Sequence, residues 1–307
     1  MRRALPSVVI LENVSNLGKQ DSPNMAFLWK SFDALGYSGA CDLFKSTAFR
    51  LPQTRERIYI VLLNREAFQY STSVATKKAR TMLADAQKLQ MPMEPLGKFL
   101  VQDDHPRVCG ERERRMEAAQ GDNKNMTGWK DTHKAFLANK GWTLQLTIAP
   151  PEVRDSPDWS LLPSREREVL GFHIASATEK DLLTCLDLTP RIDRTSCGRF
   201  GQVPTLTSSS KIWLHSVQDE PGGDTRLVNR LMIGYEMMLL QGFPGTVIDK
   251  SRNLVKDSTL ADLAGNAFSA PVFLAVLHGL YSNLDEPKKR ENAAPDFEDV
   301  LSMLAED

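Results

Sequence analysis

The sequence predicts an α/β protein in which a sheet-forming domain is interrupted by a long insert of mixed character. Two observations carry this expectation. First, the β-branched run Ser7-Val-Val-Ile-Leu11 is followed by a helical pattern and then by a second apolar run, Arg57-Ile-Tyr-Ile-Val-Leu-Leu63. Strand, helix and strand in close succession form one piece of an α/β layer. Second, the texture changes between residues 65 and 227, where prolines and glycines are frequent, charges are mixed and apolar runs are short, before helical spacing returns.

Each element has its own reason. Ser7–Leu11 is apolar at successive positions, which reads as a strand covered on both faces, as in a parallel sheet. Met25 to Leu35 sets Phe27, Leu28, Phe32 and Leu35 at helical spacing, and Gly36 supplies the stop. Arg57–Leu63 is the second strand and Asn64 ends it. Within the insert, Trp142-Thr-Leu-Gln-Leu-Thr-Ile148 reads as an isolated strand and Ser164-Arg-Glu-Arg-Glu-Val-Leu170 as a short helix. Arg230 to Leu240 has Leu231, Tyr235, Met238 and Leu239 on one helical side. Pro271 to Tyr281 reads as another helix, with the proline tolerated in its first turn. The tail from Asp285 is charged, and Phe297, Val300, Leu301 and Leu304 suit a short amphipathic helix. The expected division is therefore 1–64 and 228–284 as one domain, 65–227 as the insert, and 285–307 as a charged tail.

Composition excludes several classes. The 307 residues are 41% hydrophobic and 25% charged, enough apolar material for a core and against wholesale disorder. The longest apolar stretch, Ala270–Leu277, is far short of the ~18 residues a membrane span needs, so no membrane partner is expected. Arg2 and Arg3 precede only a short apolar stretch before Glu12, which argues against a secretory signal and for an intracellular protein. The four cysteines, Cys41, Cys109, Cys185 and Cys197, include no Cys-x-x-Cys pair; neither a disulfide scaffold nor a zinc or other metal site is expected. The net charge of −1 requires any nucleic-acid surface to be local.

Four short segments carry chemistry. Glu12 stands where the first strand ends, the edge at which open parallel sheets place their ligands; there it is either a general acid or a plain capping carboxylate. Leu51-Pro-Gln-Thr-Arg-Glu-Arg57 puts Arg55 and Arg57 two residues apart, on one side of an extended chain, where guanidinium forks suit phosphates and base edges. Arg230-Leu-Met-Ile-Gly-Tyr-Glu236 runs into Leu240-Gln-Gly-Phe-Pro244, a natural helix stop. Ala264-Gly-Asn-Ala-Phe-Ser269 precedes the Pro271 helix, which Asn266 can cap, unless its amide meets a ligand.

Together, in this order, the four resemble the later motifs of DNA (cytosine-5) methyltransferases: a Glu-Asn-Val element, Pro-Gln-x-Arg-x-Arg, an Arg…Glu…Leu-Gln-Gly-Phe-Pro helix and a Gly-Asn-Ala element. Pro204-Thr-Leu-Thr207 resembles the Thr-Leu core of that family's target-recognition domain. The resemblance implies the C-terminal part of a Rossmann-like methyltransferase domain with an inserted target-recognition domain at 65–227. It implies methyl transfer from S-adenosylmethionine to carbon 5 of cytosine in DNA. Glu12 then assists at ring nitrogen 3, Arg57 holds the base with Arg55 in support, Asn266 and Ala267 touch the donor, and Gln53, Thr205 and Leu206 lie toward the DNA. The family's Phe-x-Gly-x-Gly donor loop and Pro-Cys nucleophile loop have no counterpart in residues 1–307; the cysteines follow Ala40, Val108, Thr184 and Ser196. The expectation is an enzyme either truncated or split, a second chain supplying the missing N-terminal half in the split case, because Glu12, Arg55, Arg57 and Asn266 all keep the functional residue type. The alternative is a non-catalytic DNA-binding or regulatory relative.

In the insert, Lys124, Trp129, Lys130, His133 and Lys134 interleave cations with an aromatic, as a phosphate-tracking surface or a solvated helix does. Arg112, Arg114 and Arg115 alternate with Glu111 and Glu113 and read as a solvated face, and His105 as a loop residue. Pro287-Lys-Lys-Arg290 fits a nuclear-import signal, which places a eukaryotic version of the protein in the nucleus.

Overall fold

The computed structural model describes residues 5–19, 22–119, 128–143, 148–177, 183–220, 223–250 and 255–287. In chain order the first elements are β1 (Val8–Val14), α1 (Pro23–Ala34), β2 (Tyr37–Lys45), β3 (Gln53–Thr54), β4 (Glu56–Asn64), α2 (Arg65–Phe68) and α3 (Thr72–Gln87). Next come α4 (Pro106–Ala119), α5 (Trp129–Asn139), α6 (Pro151–Arg154), α7 (Ser164–Ser176), β5 (Leu183–Asp187), β6 (Cys197–Arg199) and β7 (Val203–Pro204). The last are β8 (Ile212–Gln218), β9 (Thr225–Leu231), α8 (Gly234–Leu239), α9 (Gly245–Asp249), α10 (Asp257–Asn266) and α11 (Ala270–Asn283). The chain divides into two compact units, one of Met1–Arg50, Glu56–Pro92 and Phe268–Asp307, the other of Leu51–Arg55 and Met93–Ala267.

The first unit is a three-layer α/β/α arrangement. Its sheet has the order β1-β4-β2, with β4 antiparallel to both neighbours. The expected parallel sheet is thus not what these strands form among themselves. Central β4 explains why its sequence is continuously apolar: Ile58, Ile60 and Leu62 face α1, with Met25 and Tyr37. Tyr59, Val61 and Leu63 face α3 and α11. Ile60 through Leu63 are fully buried, each side chain contributing about 1.5–3 kcal/mol of transfer free energy. β1 is the edge strand and only half-buried, although its pattern suggested cover on both faces. α1 begins where Ser22 accepts a hydrogen bond from the Met25 amide, and Gly36, at φ 80°, turns the chain into β2. That strand escapes the sequence pattern because Ser38, Cys41 and Asp42 break its apolar alternation.

The second unit is built on a four-stranded sheet, β6-β5-β8-β9. One face carries Leu186, Trp213 and Leu231 against α7 residues Val169, Leu170 and Phe172; the other carries Cys185, Ile212 and Leu214 with Val203 and Leu206. The insert therefore has its own ordered core. Arg230 and Leu231 lie on strand β9, and helix begins only at Gly234, so the helical spacing expected from Arg230 applies to its second half alone. α7 continues six residues past its expected end. Of the expected Trp142–Ile148 strand, residues 144–147 lie outside the described residues, as do Phe297–Leu304. The unit boundaries fall at 92/93 and 267/268 rather than at 64/65 and 227/228, because α8 and α10 pack on each other and on the β8–β9 core. α11 alone among the late helices belongs with the first sheet. Among the described residues no single helix is long and apolar enough to cross a membrane.

Candidate functional site

The antiparallel register puts Glu12 opposite Tyr59 and Val14 opposite Arg57. Residues directly opposite in such a ladder share a face, and so do residues two apart, so Glu12 and Arg57 meet diagonally on the face covered further along by α3 and α11. Arg57 Nε lies 3.1 Å from Glu12 Oε1, with the side chains 17% and 27% exposed. The contact is an ion pair with no N–H aligned on that oxygen; Glu12 Oε1 is buried and has no hydrogen-bond partner among the described residues. Arg57 Nη1 instead donates to the Glu56 carbonyl at 2.8 Å. The corner therefore holds a partly enclosed carboxylate, electrostatically paired and with unfilled hydrogen-bonding capacity, a costly arrangement unless a ligand completes it.

Arg55, expected to support Arg57, has a different task. The residue is 3% exposed, and its guanidinium donates to the carbonyls of Leu206 at 3.1 Å, Gly265 at 3.5 Å and Ala267 at 2.7 Å. Within the second unit, β3 pairs in parallel with β7, Val203 N–H donates to the Pro52 carbonyl at 2.7 Å, and Thr205 Oγ1 donates to the Thr54 carbonyl at 2.5 Å. Leu51–Arg55 is thus threaded between the Thr205–Leu206 loop and the end of α10.

Gln53 is fully buried, and neither of its amide atoms has a hydrogen-bond partner among the described residues. Leu206 is 1% exposed inside the core. Neither side chain lies on the surface as the sequence suggested: Gln53 sits in β3, paired with β7, and Leu206 packs into the core beyond β7; Thr205 remains half-exposed. Lys130 is exposed on α5 and Lys134 with it, whereas Trp129 packs edge-on against His133 and His133 bonds to Glu168 at 2.9 Å. Lys124 lies outside the described residues, as do Lys288, Lys289 and Arg290.

Asn266 ends α10 rather than capping α11. It is exposed and its Nδ2 donates to the Asp262 carbonyl at 3.0 Å. The Ala267 amide donates to Leu263 O at 2.8 Å, and its carbonyl accepts from Arg55. The Ala267 backbone groups and the Asn266 amide nitrogen are thus engaged within the second unit, and these residues alone do not compose a donor pocket.

The sequence missed a buried ion network. Arg230 is 2% exposed and donates to Glu236 Oε1 and Oε2 at 2.6 and 2.9 Å and to Asp103 at 2.7 Å. Burial works against its charge, but these carboxylates outweigh it and raise the guanidinium's pKa. Glu111, 5% exposed, pairs with Arg114 and Arg115, and Arg112 pairs with buried Asp158. The expected solvated face on α4 is therefore half an interior salt-bridge array; the i,i+3 and i,i+4 spacing was its only sequence signal.

None of the shifted cysteines is activated. Desolvation, then neighbouring Asp42, raises the Cys41 thiol. Burial raises Cys185 well above the ordinary range and also raises Cys197. Cys197 Sγ lies 3.4 Å from His173 Nδ1, but burial lowers His173 to about 4, so the imidazole is neutral at pH 7 and does not stabilise a thiolate.

The sequence pattern of the family described as C-5 cytosine-specific DNA methylase matches residues 1–282, and the chain belongs to that family. Solved structures it is similar to include the Dnmt2 methyltransferase of S. pombe, at 13% identity and TM-score 0.43 over 90% of this chain and 65% of that one. Another is the Entamoeba histolytica methyltransferase EhMeth, at 10% identity and TM-score 0.43 over 92% of this chain and 64% of that one. The chain thus spans just under two-thirds of the length of either structure. No curated protein sequence matches it.

Proposed function

We propose that the Glu12–Arg57 corner is the base-holding part of a DNA cytosine-5 methyltransferase of the Rossmann-like, S-adenosylmethionine-dependent type. The observation that supports it is the buried Glu12 oxygen, ion-paired to Arg57 yet lacking a hydrogen-bond partner. An extrahelical cytosine offers a complementary edge: its exocyclic amine donates to a carboxylate, and ring nitrogen 3 accepts from the same group once that group carries a proton. Such an interaction strengthens as negative charge gathers on the ring during attack at carbon 6, which is how a positioned carboxyl group assists without touching the bond that forms. Arg57 fixes the carboxyl group's place by charge. Bound S-adenosylmethionine would supply an electrophilic methyl group; Asn266 and Ala267 are the residues of this chain that the family resemblance assigns to it. A proline-preceded cysteine is absent from residues 1–307, and in this reading the nucleophile and most of the donor pocket come from outside these residues. DNA is the other partner, tracked by exposed Lys130 and Lys134.

The test uses binding, which needs no turnover. Fluorescence anisotropy is measured with a duplex carrying cytosine opposite an abasic site, which lowers the cost of extruding the base, and with the same duplex carrying thymine. The chain should prefer cytosine by about tenfold, the value of one good hydrogen-bonded contact to a buried charge, and Glu12→Gln should erase the preference while keeping the salt-dependent binding that phosphates supply. Equal affinity for the two duplexes in the unaltered chain would end this reading of Glu12.

A further inference from the structure

Two segments of the second unit meet although about sixty residues separate them: the Thr205–Leu206 loop and the Gly265–Ala267 turn that ends α10. Their approach is close. A Cβ placed on Gly265 would lie 2.1 Å from the Ser208 nitrogen and from the Thr207 carbonyl carbon, so this glycine is needed for contact and not for a turn conformation. A helix end leaves its last carbonyls without intrahelical partners. Here the Gly265 and Ala267 carbonyls are satisfied by Arg55, at 3.5 and 2.7 Å, and the same guanidinium takes the Leu206 carbonyl at 3.1 Å. Nη1 reaches both segments and Nη2 holds the turn. The positive charge also sits where the α10 dipole is negative. On its other side the loop is fastened to the same strand, by Thr205 Oγ1 on Thr54 O and by Val203 N–H on Pro52 O.

We propose that Arg55 is a positioning residue that joins the Thr205–Leu206 loop and the Gly265–Ala267 turn into one unit, so that ordering either by a ligand orders the other. The inference rests on the proposed function only for the ligand, DNA, at the loop side. The guanidinium spreads its donors over two nitrogens in a fixed plane, so three carbonyls are held together; the ammonium of lysine carries its donors on one atom and does not span the same set.

Amide hydrogen exchange on the full chain tests this. Without DNA, Arg55→Gln should speed exchange at the Val203 and Ala267 amides together, by roughly tenfold or more given the strength of charge-assisted hydrogen bonds. The Trp213 and Leu214 amides in the sheet core should keep their wild-type rates. Arg55→Lys should restore one segment at most. With the abasic-site duplex added, the wild type should gain protection at Thr205–Thr207 and, remotely, at Ala267, whereas Arg55→Gln should lose only the remote part. Loosening of one segment alone, full restoration by Lys, or acceleration spread through β8 would overturn the proposal. A duplex that protects nothing in the wild type would sink the DNA reading and leave the DNA-free measurement to decide on Arg55.

Discussion

The buried Arg230–Glu236 pair makes a quantitative prediction. Glu236 has no exposed surface, and its carboxylate accepts four hydrogen bonds: Arg230 Nη2 and the Val101 amide on Oε1, Arg230 Nη1 and the Ile233 amide on Oε2. Glu236→Gln keeps the shape but removes the charge, and its amide nitrogen must then face two donors. Arg230 is left with Asp103, which is 53% exposed and a weaker counter-charge for that reason. Breaking one partner of a buried pair costs about 3–5 kcal/mol, a large part of the roughly 5–15 kcal/mol that holds a domain together. Urea unfolding read by tryptophan emission suits the second unit, which contains Trp129, Trp142, Trp159 and the fully buried Trp213. With a denaturant slope of about 2 kcal/mol per molar, the midpoint should fall by about 2 M. Adding Arg230→Met removes the stranded cation, so the double variant should be less destabilised than the sum of the single ones by about 1–3 kcal/mol. A midpoint change under about 0.5 M for Glu236→Gln, or strict additivity in the double variant, would refute the claim that this motif is a buried structural charge pair.

Two further outcomes are expected. Burial holds His173 at about 4, so between that value and the ordinary 6.5 the unfolded chain binds the extra proton; stability contributed by neutral His173 is present above pH 6.5 and is lost as pH falls toward 4, by up to about 3 kcal/mol. His133 is lowered by burial in the same direction, and His173→Phe should flatten the urea-midpoint profile over that window. Residues 1–307 alone should transfer no labelled methyl group from S-adenosylmethionine to DNA, since Cys41, Cys185 and Cys197 are shifted away from thiolate and none of the four cysteines follows a proline; robust incorporation in a filter-binding assay would force one of the four cysteines into the nucleophile's role.

Legibility in the sequence followed the range of the interactions. Glu12 and Arg57 drew notice because each sits at an end of an unmistakable apolar run; β1 nevertheless continues to Val14, so Glu12 lies within the strand and not at its exit as expected. What the runs do not encode is direction, since Val8–Leu11 and Ile58–Leu63 are apolar at consecutive positions and fit parallel and antiparallel pairing equally; the ladder register that makes the two residues diagonal neighbours is a tertiary fact. The burial of Gln53 and Leu206 was hidden for a different reason. Their segments match family motifs, but the flanking Leu51-Pro52 and Val203-Pro204 are themselves buried, and a polar residue between buried neighbours is as readily interior as exposed. The local motif marked Arg55 but not its task, because its acceptors lie 151, 210 and 212 positions away.

The motifs therefore divide by what their charges do. Arg230, Glu236 and Arg55 are almost wholly buried and have charged or carbonyl partners, which is the signature of groups that hold a frame: removing any one leaves a desolvated partner behind. Glu12 and Arg57 are partly exposed, and an oxygen of the carboxylate is enclosed without a hydrogen-bond partner. A frame group in that state only loses free energy, since its desolvation is unreturned. A binding group in that state is poised, because the deficit is recovered when a ligand of complementary hydrogen-bonding pattern arrives. The same family motif set thus contains both kinds of residue, and substitutions should sort them by readout. Frame residues should change urea midpoints and amide exchange before binding preference. Glu12→Gln should change the cytosine preference while leaving the unfolding free energy within about 1 kcal/mol of the unaltered chain, as expected where a partly exposed ion pair contributes little to stability. If Glu12→Gln instead destabilised the first unit as severely as Glu236→Gln does the second, the carboxylate would be a frame residue too, and the corner would lose its claim to hold a base.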